Sequence, residues 1–157
     1  MYLVATAIAL LSSCSGIIVA DIGPPRPVPE GSCVVIGFLG GRDRWNDDTK
    51  VVRQLALKLC DPESQVYVET FENQRRNVAL GFLREALASH DETIRLVVFG
   101  QSFGRAAVLR FVRQLYAIDV PIQLTAQIDS VRRNDALVSA NVSTAVNLYQ
   151  DNGFIIA

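Results

Sequence analysis

The stretch VVFGQSFGRAAVLRF, residues 97–111, decides how the chain is read. Val97, Val98 and Phe99 end an apolar run that reads as a buried strand. Gly100 and Gly104 then bracket Ser102 two residues to either side, and an amphipathic segment follows at once. Strand, sharp turn and helix in that order, with glycines where side chains would clash, is the local context a nucleophile elbow needs. The bland alternative is a glycine-bracketed turn whose serine caps the helix.

Working outward, residues 94–99 read as a strand and 103–116 as its helix. Ala107, Val108, Phe111 and Leu115 face inward there, while Arg105, Arg110 and Arg113 face solvent. Upstream, the apolar run 33–38 reads as a strand and GFLGGRDRW as the loop after it. A helix capped by Asp47 or Asp48 follows, running to about Cys60 with Val51, Val52, Leu55 and Leu59 inward, and Asp61-Pro62 ends it. Residues 65–70 alternate as a strand. Residues 74–89 read as a helix with Ala79, Phe82, Leu83 and Ala86 inward. Downstream, residues 121–128 form a fourth strand ending at Asp129, and beyond Val131 the pattern weakens to a short helix and the start of another segment. Strands alternating with helices predict an α/β fold: a doubly wound, mostly parallel sheet of about four strands or more, with sequential units side by side and helices on both faces. Function then belongs at the carboxyl ends of the strands, where the loops 37–44, 100–104 and 129–133 meet.

Half of the 157 residues are hydrophobic and a fifth are charged, so the chain can bury a core and is not a disordered one. Fifteen basic residues against sixteen acidic ones leave no basic patch that would point to nucleic acid. Residues 1–20 read as a signal peptide, with an apolar run too short for an ordinary membrane span. Leu11-Ser12-Ser13-Cys14 resembles the lipobox of bacterial lipoproteins, although no Lys or Arg precedes the apolar run. An uncleaved apolar helix or strand is the alternative. Residues 21–31 carry four prolines and read as a stiff spacer, and 32–157 as the folded domain. This organisation predicts export to the periplasm or cell envelope, with a lipid anchor at Cys14. Cys33 and Cys60 would then face an oxidising space, either paired or as buried thiols.

An acyl-transfer site needs backbone N–H groups aimed at the developing oxyanion. Phe103, just after the serine, supplies one, and Phe38 or Leu39 in the GFLGG stretch the other. Phosphate binding by that glycine-rich stretch is disfavoured, because its spacing is not G-x-G-x-x-G. Asp129 is the acid candidate that would orient a histidine, or else it caps the next turn; Asp135 and Asp43 are weaker candidates. The one histidine, His90, falls between the second helix and the elbow strand, which places it at the opposite end of the sheet from the site. Lys50 and Lys58 are the only lysines, and neither is placed to act as a base.

Taken together, GFLGG, GQSFG and QLTAQIDSV resemble the oxyanion loop, elbow and acid-bearing strand of the α/β-hydrolase family, over about residues 33–150. NVSTAVNLYQ is similar to a segment that follows the acid in some bacterial lipase- and esterase-like members. Arg105 stands where that family usually has glycine or alanine. The resemblance implies hydrolysis of an ester, thioester or amide of a small acyl substrate, without cofactor or metal. It also implies that the family's last strand, last helix and catalytic histidine would follow Ala157, so that the chain as written is truncated, weakly active at most, and left with a sheet edge open to dimerisation. A non-catalytic acyl- or apolar-ligand-binding domain and a surface-tethered interaction domain are the competing readings.

Overall fold

The computed structural model describes residues 28–88, 94–128 and 138–148. Its elements are β1 (Cys33–Leu39), α1 (Val51–Leu59), β2 (Val66–Glu72), α2 (Arg76–Ala88), β3 (Arg95–Gln101), α3 (Phe103–Tyr116), β4 (Ile122–Ile128) and β5 (Val142–Leu148). The five strands form one sheet in the order β2-β1-β3-β4-β5, and every adjacent pair is parallel. This is the α/β sheet the alternating pattern predicts, with one more strand than the four resolved from the pattern.

Helices cover both faces. On one, α2 and α3 pack over Val34, Ile36, Phe38, Leu96 and Val98. Phe38 and Phe111 meet edge to face at 5.3 Å between ring centroids at the centre of that layer. On the other, α1 lays Val52 and Ala56 against Val35, Leu39, Val68 and Phe99. Successive side chains of a strand point to opposite faces, so the continuous apolar run of β1 feeds both layers. The inward residues expected for α2, Ala79, Phe82, Leu83 and Ala86, are all buried.

Several expectations need correction. Sequential units do not all lie side by side: β1 separates β2 from β3. The chain must therefore double back over β1, and this puts α2 on the face opposite α1. Helix α1 begins at Val51, later than a cap at Asp47 or Asp48 would allow, and Lys50 at its N-cap makes no side-chain capping bond. Asp47 instead accepts bonds from the backbone N–H and hydroxyl of Thr49, at 3.0 and 2.6 Å, closing a local turn. Those bonds hold its carboxyl below the usual range. The inward face of α1 is Val52, Arg53 and Ala56, whereas Val51 and Leu59 are exposed. Arg105 is buried rather than solvent-facing. Residues 142–148, in the stretch where the pattern weakens to a short helix and the start of another segment, form a strand.

Cys33 and Cys60 are thiols and not a disulfide. Burial pushes the Cys33 thiol up, against the opposing pull of the Arg95 guanidinium. Cys14, the signal segment, most of the proline spacer, His90, Asp129 and Asp135 lie outside the described residues. No helix among the described residues is long and apolar enough to cross a membrane.

Candidate functional site

The strand order creates a switch point. From β1 the chain turns through α1 towards β2, and from β3 it turns through α3 the other way, towards β4. The loops leaving the carboxyl ends of β1 and β3 diverge there, which in open α/β sheets leaves the crevice where ligands bind. Those loops leave from GFLGG, whose Gly37–Leu39 end β1, and from GQSFG, whose Gly100 and Gln101 end β3.

Ser102 occupies the turn between β3 and α3 with φ 51° and ψ −116°. An L-residue pays to sit there, on the order of 1–3 kcal/mol, and such outliers concentrate at functional sites. Its hydroxyl makes no capping bond to the helix, so the capping alternative is not what holds it. Backbone contacts hold the strain. The Ser102 N–H donates to the Ile128 carbonyl at 3.1 Å, and the Arg105 N–H donates to the Ser102 carbonyl at 3.1 Å.

The bracketing glycines allow the approach. A Cβ on Gly100 would lie 2.8 Å from the Gly104 backbone, and one on Gly104 would lie 2.1 Å from the Phe38 carbonyl oxygen. Helix α3 thus starts directly over the carboxyl end of β1. Gly40 lies beside the serine: a Cβ there would be 3.5 Å from the Ser102 Cβ and 3.8 Å from Asp43 Oδ2. Asp43, a weaker acid candidate on sequence grounds, therefore stands at the same crevice, paired with Lys50 at 3.2 Å. Both are partly exposed, and a pair of that kind contributes little to stability. Asn73, in the loop after β2, donates to the Gly41 carbonyl at 2.6 Å and ties a third loop to the same place.

The expected oxyanion residues are distributed unevenly. Phe103 opens α3, and the first N–H groups of a helix have no intrahelical acceptor. Its side chain is 70 % exposed beside Ser102. Phe38 and Leu39 are the last residues of β1, fully buried, and it is their carbonyls that approach Gly104. Asp129 is outside the described residues, but Ile128, which precedes it, touches the elbow through the bond to Ser102. Among the described residues there is no cluster of three or more metal-ligating side chains.

Two buried arginines escaped the sequence reading. Arg105 donates from Nε to Gln127 Oε1 at 2.6 Å, so the elbow is fastened to β4 through a side chain as well as the backbone. Its spacing to Val108, Val112 and Leu115 is the signal that would have found it. Arg53 donates to Asp48 and Thr70, and Thr70 in turn donates to the Trp45 carbonyl. That chain of bonds anchors the loop after β1 to α1 and β2.

Relieving the turn should be measurable. Glycine tolerates positive φ, so Ser102→Gly removes the local strain at an unfolded-state cost of about 0.5–1 kcal/mol. A net stabilisation of about 1 kcal/mol is expected in urea unfolding. A destabilised variant would show that the serine conformation is not strained.

The chain matches no protein-family model, no curated protein and no solved structure.

Proposed function

We propose that the domain is a serine hydrolase-like acyl-transfer module with Ser102 as nucleophile. The observation that carries this is the positive-φ serine between two indispensable glycines at a strand–helix turn, with a hydroxyl not spent on capping. Ser102 Oγ attacks the carbonyl carbon of an ester, thioester or amide. The Phe103 N–H receives the developing oxyanion, and because Phe38 and Leu39 turn their carbonyls towards the elbow, the second donor falls to the loop after them. Asp129 is the acid that would orient a base. No histidine is among the described residues; a serine hydroxyl without an adjacent base is a weak nucleophile, and slow turnover is the expectation. The exposed Phe103 ring supports a second reading, in which the crevice holds an apolar acyl group without turning it over. The proposal extends to an exported domain tethered through Cys14.

Fluorophosphonate labelling followed by peptide mass spectrometry tests the reading. Slow labelling at Ser102, lost in Ser102→Ala, is expected, together with weak p-nitrophenyl ester turnover that the same substitution removes. Turnover unchanged in Ser102→Ala, or label on another residue, would refute the assignment. Acyl-ester binding without any labelling would favour the second reading.

A further inference from the structure

The loop after β1 folds back on itself beside Ser102. Gly41 takes a φ of 48°, in the left-handed region that glycine tolerates. The Asp43 N–H donates to the Gly40 carbonyl at 3.0 Å and closes the turn. That turn returns the Asp43 side chain towards Gly40. The position a Gly40 Cβ would take is 3.5 Å from Ser102 Cβ and 3.8 Å from Asp43 Oδ2. Ser102 and Asp43 therefore border one small space, which exists because residue 40 has no side chain. The two atoms are at most about 7 Å apart, a span that the serine C–O bond and two hydrogen bonds through one water cover.

The carboxylate is also oriented. Lys50, at the N-cap of α1, holds Asp43 Oδ1 at 3.2 Å, and Oδ2 is the oxygen next to Gly40. Asp47 Oδ2 stands 3.9 Å from the same ammonium, on the side chain's other flank. The segment that carries this pair is fastened to the core by Arg53, which donates to Asp48 at 3.0 Å.

We infer that Asp43 is the general base for Ser102 and Lys50 its positioning residue, an assignment that rests on Ser102 being the nucleophile. Asp43 Oδ2 takes the hydroxyl proton, directly or through one water, as Ser102 Oγ bonds to the acyl carbon. The tetrahedral intermediate then expels the alcohol, thiol or amine, which leaves with that proton. Water attacks the acyl-enzyme and gives its proton to Asp43. Ser102 Oγ departs carrying that proton, and the carboxylic acid is freed. A carboxylate is a weaker base than imidazole, so this route is slow.

Fluorophosphonate labelling rates at Ser102, read by peptide mass spectrometry at neutral pH, test the base. Asp43→Ala is expected to slow labelling about 100-fold or more with an unchanged circular dichroism spectrum. Added formate, a carboxylate small enough for the space vacated, should restore the rate in proportion to its concentration. Gly40→Ala keeps both residues but fills the space between them. It should slow labelling in the same way, and formate should not restore it. Parental rates in Asp43→Ala or Gly40→Ala, or a loss in Asp43→Ala that formate leaves unrestored, would overturn the base and leave Ser102 as the nucleophile. An unlabelled Ser102 in the parent chain would overturn both.

Discussion

Replacing Gly104 by alanine is expected to cost more than about 3 kcal/mol, at the upper end of what overpacking does. The added Cβ would lie 2.1 Å from the Phe38 carbonyl oxygen, 2.9 Å from its carbon and 3.0 Å from the Leu39 carbonyl oxygen. All three are backbone atoms of a strand paired on both sides, so none can swing away. The helix would have to lift instead, and with it Phe111, which packs on Phe38. The same substitution at Gly81 is the control. Gly81 lies inside α2, where a Cβ would meet nothing within 4 Å. There alanine should stabilise by about 0.5–1 kcal/mol through helix propensity. Urea unfolding followed by circular dichroism reads both. A Gly104→Ala variant within about 1 kcal/mol of the parent would mean that α3 does not dock where the elbow requires.

Arg53→Ala is expected to cost about 3 kcal/mol, and the source of that cost can be separated. Asp48, the ionic partner of Arg53 at 3.0 Å, is 46 % exposed, so water screens the pair and can replace the carboxylate. Asp48→Ala should therefore cost only about 1 kcal/mol. The larger part lies in the buried stem of Arg53, its bond to Thr70 and its position 5.8 Å from the centre of the Trp45 ring. Arg53→Met, which keeps the stem, should recover more than half of the loss. Differential scanning calorimetry of the three variants decides it. Equal losses for Arg53→Met and Arg53→Ala would place the stabilisation in the charge after all.

How far the sequence led depended on what each segment had to bury. Residues 95–116 were legible because an apolar strand, two glycines and a clean inward stripe sit together there. Helix α2 was legible for the same reason in its four inward residues. The pattern failed where polar groups carry the structure. Arg53 and Arg105 are charged, and residue type alone assigns them to solvent, yet each is buried with a specific oxygen as partner. Asp47 looked like a helix cap because aspartate serves caps and local turns equally well, and the turn with Thr49 took it. Strand β5 carried no signal because its side chains are exposed on both faces, so nothing compelled an alternation. At the site, the G-x-S-x-G spacing pointed to Ser102, but the approach of Gly40 and Asp43 to it depends on a loop conformation that no spacing encodes.

The position of β1 between β2 and β3 has a consequence for biosynthesis. β1 emerges from the ribosome early, but its second neighbour, β3, starts about 55 residues later. At roughly 5–20 residues per second, one flank of CVVIGFL stays open for about 3–11 s. Non-local parallel pairing is slow to begin with, because the intervening loop must close first. During that interval an uncharged apolar strand is available to any other nascent chain. Holding factors that bind extended apolar segments should therefore matter most for this protein between the completion of β1 and the completion of β3.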